Sequence, residues 1–146
     1  MWIDTHAHLG HLRFSSDLAE VIARAHEASV GSFVAPAVDL ANSRHLLTLH
    51  EQFPVLRPAA GIHPCDVDTV STSDFGWVEE LAALAANPSV AAVGEIGLDF
   101  FHPPPEGFTP ESWRTQQDRV LKAQLDLAAS LGLNVIIHTR ESHDAM

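Results

Sequence analysis

The sequence contains a single cysteine, Cys65, so no disulfide can close within the chain, and a reducing, cytoplasmic setting is expected. Basic residues are scarce: 8 Lys and Arg stand against 19 Asp and Glu, for a net charge of -11. Such a surface repels phosphate backbones and disfavours sliding along duplex DNA, although bound divalent metals would reverse the field locally. Long apolar runs are absent. Asp, Glu, His or Arg interrupts every stretch before it reaches the roughly 18 residues of a membrane span, so no membrane partner is expected. The first residues carry no basic segment, and no secretory signal is expected either. There are no internal repeats, low-complexity tracts or charge blocks, and no obligate protein partner is evident. What remains is 146 residues, 46% hydrophobic and 18% charged, which excludes disorder and suits one globular domain over 1–146. Histidine is the one residue in excess, with ten copies against 8 Lys and Arg. His26, His45 and His50 fall in helical stretches and are read as surface or partly packed residues.

Short β-branched, apolar runs alternate with helical patterns along the chain. Strands are expected at Trp2–His8, Gly31–Val38, Val55–His63, Val90–Leu98 and Asn134–Thr139. Leu18, Val21, Ile22 and Ala25 recur at helical spacing after Asp17, with Glu20 completing a capping-box-like start. Asn42 is read as the cap of a second helix burying Leu46, Leu47 and Phe53. Trp77, Val78, Leu81 and Leu84 mark a third helix that stops at Asn87-Pro88. In the fourth, Thr109 caps, Pro110 takes the first position and Gly132 closes a long apolar stripe. Alternation of this kind builds a parallel sheet covered by helices, either an open doubly wound sheet or a closed barrel. No glycine-rich phosphate loop follows the first strand, which weighs against a dinucleotide-binding sheet.

Polar residues gather at the C-terminal ends of these strands, where both architectures place their sites. His6 and His8 alternate on one strand face about 6–7 Å apart, close enough for two imidazoles to share a metal ion. Asp4 lies on the same face and could orient one of them. The bland alternative is a polar strand end. Glu95 follows a buried-looking apolar run, where a carboxylate needs a metal or a charged partner. A salt bridge to an Arg would also satisfy it. His138 emerges from Val135-Ile136-Ile137, with Arg140 on its face offering a fork that suits a phosphate or a rim salt bridge. His63 ends the third strand in similar style. Histidine and carboxylate ligands suit zinc, manganese or iron better than magnesium.

Four motifs in this order resemble the TatD-type metal-dependent hydrolases, a family of the amidohydrolase-like barrel group. They are Asp4-Thr5-His6-Ala7-His8-Leu9, Gly61-Ile62-His63-Pro64, Gly94-Glu95-Ile96-Gly97-Leu98-Asp99-Phe100 and Ile137-His138-Thr139-Arg140. Gln124-Leu125-Asp126-Leu127-Ala128, leading into Leu131-Gly132-Leu133, also matches, so the resemblance runs the length of the chain. It implies a (β/α)8 TIM-barrel-type fold, incomplete here, with about five parallel strands and their covering helices. It further implies a deoxyribonuclease cleaving phosphodiester bonds at DNA ends with two divalent metal ions (Zn, Mn or Mg). Position by position, His6 and His8 would hold one ion, Glu95 would bridge, and His138 would hold the second. His63 and Arg140 would lie near the substrate phosphate. Cys65 stands where the family often has histidine, and Phe100-Phe101 where it has tyrosine.

The family's site also uses a histidine from a sixth strand and a general-base aspartate from an eighth, and a whole barrel takes roughly 250 residues. The 146 residues are therefore expected to be the N-terminal part of one barrel, holding metal weakly and hydrolysing little alone. Two other functions stay open. The same ions would activate water against an ester or amide, such as an aminoacyl-tRNA bond. The chain would otherwise be a non-catalytic, truncated metal-binding remnant.

Overall fold

The computed structural model describes residues 1–146. Five strands and four helices alternate: β1 Trp2–Asp4, α1 Leu18–Glu27, β2 Val30–Ala35, α2 Leu40–Gln52, β3 Leu56–Ala60, α3 Gly76–Ala85, β4 Ala92–Asp99, α4 Pro110–Leu131 and β5 Asn134–Arg140. Every pairing is parallel, and the spatial order β1-β2-β3-β4-β5 follows the chain. A doubly wound sheet reverses its strand order at a switch point; this one never does, which is the order of a TIM-type barrel. The sheet is an open arc. β4, flanked by β3 and β5, is buried at every position, whereas Trp2 and Ile3 on one edge and Val135 and Ile137 on the other are exposed.

The core divides in two. Leu81, Val93, Ile96 and Val120 belong to the larger cluster, which joins the second half of the sheet to α3 and α4. Phe33, Leu46, Leu49 and Leu56 belong to the smaller one, which joins β2 and β3 to α1 and α2. At the start of α4 the Thr109 hydroxyl accepts the Ser112 N–H in a capping box, and Gly132 ends the helix in the left-handed conformation at φ 66°.

Two expected caps differ from the structure. Asp17 precedes α1 but makes no side-chain cap, and no capping box forms there; Arg24 reaches towards Asp17 and Glu20 at 3.8 and 3.9 Å instead. The cap of α2 is Asp39, whose carboxylate accepts the Asn42 N–H at 2.6 Å. Asn42 already lies inside that helix and uses its side-chain oxygen to accept from the Val38 N–H.

Several strands end earlier than expected, and the reason bears on the site. β1 stops at Asp4, not His8: the Asp4 carboxylate takes the His6 N–H at 3.0 Å and interrupts the regular ladder, which the Ala7 N–H rejoins only once, at the Val34 carbonyl, 3.0 Å. β2 stops at Ala35, before Pro36, which has no N–H to donate. β3 stops at Ala60, not His63, because side chains replace its neighbouring strands. Ser43 Oγ accepts from Gly61, and Gln124 accepts the Ile62 N–H at 2.7 Å while donating to the Ile62 carbonyl at 3.1 Å. Gln117 makes the same two-point clamp on Asp99, at 2.9 and 3.0 Å. Both glutamines are buried on one face of α4, seven residues apart.

Candidate metal centre

The strand ends converge on one rim. After β1, the Asp4 turn presents His6 and His8 side by side, both partly exposed. In β4 the register against β5 shifts between Val93 and Ile96, and the Glu95 backbone N–H bonds across to the Ala37 carbonyl at 3.0 Å. A bulge of this kind re-aims a side chain, and here the buried Glu95 carboxylate lies between His6 and His8, which follow β1, and His138 of β5. Gly97 makes the close β4–β5 approach possible: a Cβ there would sit 1.9 Å from the His138 carbonyl oxygen.

The donor atoms form two triangles that share Glu95. In the first, His6 Nε2 and His8 Nε2 are 3.2 Å apart and lie 3.1 and 3.3 Å from Glu95 Oε2. An ion bonded to nitrogen and oxygen at about 2.0 Å in tetrahedral geometry separates its ligands by about 3.3 Å. These three atoms thus make one face of such a tetrahedron. In the second triangle, His138 Nδ1 lies 2.9 Å from Glu95 Oε1 and 3.1 Å from His63 Nε2. Each carboxylate oxygen of Glu95 therefore serves a different triangle, and the donor set of each fits a divalent ion of the zinc or manganese type.

His138 is fixed from behind. Its Nε2 faces the Asp99 carboxylate at 2.9 Å, leaving Nδ1 for the rim. A carboxylate on the far nitrogen sets the tautomer and the ring orientation of a ligating histidine. Asp99 is buried, which alone would raise its affinity for a proton. The backbone N–H and ring of His102 and the ring of His138 outweigh that and hold the carboxyl below the usual range. Burial, reinforced by the charge His138 can carry, pushes His63 down to about 4, so its imidazole is neutral at physiological pH. Next to the triangles a cavity of about 520 Å³ opens, lined among others by His8, His63, Cys65, Asp66 and His102. Burial with Asp39 and Asp68 nearby pushes Asp66 up to about 6, and burial beside Asp99 pushes the Cys65 thiol up to about 12.

His6, His8, Glu95 and His138 thus come together. His63, expected beside a substrate, stands at ligand distance in the second triangle. Asp4 accepts from the His6 backbone N–H and makes no hydrogen bond to either ring. Arg140 lies outside the triangles, its guanidinium 3.9 Å from the centre of the Phe101 ring. Asp99 went unrecognised as a functional residue, although its signal was the same as that of Glu95: a carboxylate in an apolar strand, four residues on and so on the same face.

The sequence model of the family described as "TatD related DNase" matches residues 3–146. The chain is 37% identical over 146 residues to the metal-dependent hydrolase YjjV of Escherichia coli (strain K12), covering 99% of this chain and 53% of that protein. It is 36% identical over 146 residues to the 3'-5' ssDNA/RNA exonuclease TatD of Edwardsiella piscicida, covering 97% of this chain and 51% of the relative. The crystal structure of the E. coli YjjV protein superposes with a TM-score of 0.84 at 35% identity, covering 99% of this chain and 52% of that one. A TatD family hydrolase from Entamoeba histolytica shares the fold, with a TM-score of 0.83 at 20% identity. The chain spans about half the length of the relatives it matches. With a family match from residue 3 to residue 146 and a parallel arc that superposes on half of a family barrel, the chain belongs to the TatD related DNase family.

Proposed function

We propose that these residues are the N-terminal part of a cytoplasmic metal-dependent nuclease barrel that hydrolyses phosphodiester bonds at DNA ends with two divalent ions. The observation that carries this reading is the split use of Glu95, one oxygen with His6 and His8, the other with His138. A carboxylate that offers one oxygen to each of two histidine sets would suit a two-metal site. Similarity to a 3'-5' ssDNA/RNA exonuclease supports a nucleic-acid substrate.

When bound, divalent ions lower the pKa of water towards about 7 and neutralise charge on a phosphate. The chain's own residues do the rest. His6, His8, Glu95 and His138 would hold the ions, and Asp99 keeps the His138 Nδ1 lone pair directed at the rim. His63, neutral and half-buried, either completes the second triangle or donates a hydrogen bond to a phosphate oxygen. Arg140, stacked on Phe101, offers a planar fork to the phosphate beyond them. In this reading the general base is an aspartate outside these residues. The acidic surface favours a substrate held by its end over one bound along its length.

The test uses protein expressed from the complete coding region, assayed on single-stranded DNA beside ester and lactone substrates. The expected result is DNA hydrolysis that needs Mn2+ or Zn2+, stops with chelator, and falls at least about 100-fold in Glu95→Gln. Ester or lactone turnover without DNA hydrolysis would favour the carbonyl reading, and metal-independent DNA cleavage would overturn the proposal.

A further inference from the structure

One cluster of metal-ligating side chains lies outside the Glu95 triangles. Cys65 sits on the 3-10 turn Pro64–Thr69 that follows β3, and Asp99 is the last residue of β4. His102 lies on the loop beyond it. The Asp99 carboxylate folds that loop back on itself, because Oδ1 accepts the N–H groups of Phe101 and His102 at 3.0 and 2.9 Å. This turn brings His102 Nδ1 to 2.9 Å from Asp99 Oδ2 and 3.6 Å from Cys65 Sγ. Sulfur, nitrogen and oxygen donors all fall within 4.8 Å of one another.

We propose that Cys65, Asp99 and His102 form a third, thiolate-containing site for a zinc-type ion, separate from the Glu95 pair. Zinc bonds of about 2.3 Å to sulfur and 2.0–2.1 Å to nitrogen place those two atoms about 3.6 Å apart at the tetrahedral angle. That is the separation of Cys65 Sγ and His102 Nδ1. The oxygen–nitrogen edge, at 2.9 Å, need open by only about 0.4 Å to reach its own tetrahedral value. Asp99 Oδ2 has a lone pair to give, since a carboxylate oxygen accepts two partners and His138 occupies one. On binding, the Cys65 thiol proton leaves to solvent as the sulfur–metal bond forms; the hydrogen that His102 Nδ1 directs at Asp99 Oδ2 is also released to solvent, and the neutral ring carries its proton on Nε2. The fourth position faces the cavity beside His63 and Asp66. A thiolate selects zinc, cadmium or cobalt over magnesium, so this site is chemically distinguishable from one built of imidazole and carboxylate alone.

The test is titration of the protein expressed from the complete coding region with Co2+, followed by ultraviolet absorption, together with Zn2+ stoichiometry by equilibrium dialysis. A sulfur-to-cobalt charge-transfer band should appear in the parent chain and persist in His8→Ala. It should vanish in Cys65→Ser, with bound zinc falling by one ion per chain, and His102→Ala should weaken zinc at this site about tenfold or more. Zn2+, but not Mg2+, should shield Cys65 from alkylation. Both side chains reach the surface, so neither variant threatens folding, which circular dichroism verifies. Absence of the band, or equal zinc stoichiometry in the parent and Cys65→Ser, overturns the proposal. Neither result touches the Glu95 triangles.

Discussion

Replacing Gln124 by leucine tests whether a buried side chain, and not a strand, holds the end of β3 beside His63. The glutamine is 1% exposed and Ile62 is fully buried, so no water can take over the two hydrogen bonds, at 2.7 and 3.1 Å, that leucine removes. A buried backbone group left without a partner costs about 1–3 kcal/mol, so two groups cost about 4 kcal/mol at mid-range. Burial of the leucine side chain returns about 2 kcal/mol. The net loss is then about 2 kcal/mol, which lowers Tm by roughly 4–8 °C in a chain of this size. Thermal unfolding followed by circular dichroism reads this directly. Gln124→Glu refines the test, because a carboxylate still accepts from the Ile62 N–H but donates to its carbonyl only when protonated. Its deficit relative to the parent should be large at alkaline pH and shrink as pH falls towards about 5. Gln124→Leu melting with the parent, or a Gln124→Glu deficit independent of pH, would refute the clamp.

Gly97→Ala should strongly destabilise the fold and weaken metal binding together, since the new methyl would overlap the His138 carbonyl oxygen; denaturant midpoints and zinc titration measure both. Asp99→Asn keeps the size of the side chain but removes the carboxylate behind His138 Nε2, and zinc affinity at the second triangle should fall about 10–100-fold. Asp66 holds its proton more tightly in the folded chain, at about 6 against an ordinary 3.8, so its contribution is fully present below 3.8 and lost as pH rises through about 6. Asp66→Asn should therefore raise the unfolding temperature at neutral pH and leave it unchanged near pH 3, as parallel thermal melts would show.

The alternation of apolar runs and helical stripes made the five parallel strands and four helices legible, because period and cap residues act locally. Thr109, Pro110 and Gly132 bracket α4 by their own backbone preferences. The strand ends were less legible. β1 and β3 stop where Asp4, Ser43 and Gln124 intercept backbone groups, and two of those three come from other elements. The cap of α2 fell to Asp39 over Asn42 because both residue types can cap, and only the path of the incoming strand decides. In the site, the spacing of His6 and His8 and the burial of Glu95 and His138 were visible one motif at a time. What pattern could not reveal was the pairing of His138 with Asp99, or the arrival of His63 and His102, which depend on which strands become neighbours. For Arg140, alternation gave the His138 face but not its partner, the Phe101 ring on which the guanidinium stacks.

The proposed function rests on Glu95 dividing its two oxygens between two ions. Crystals of the chain soaked in Mn2+ or Zn2+, with anomalous difference maps recorded at the metal's absorption edge, test it most directly. Two peaks should flank Glu95, roughly 3.5–4 Å apart, one against His6 and His8 and the other against His138. A single peak on one side of Glu95, or peaks that leave its carboxylate free, would contradict it.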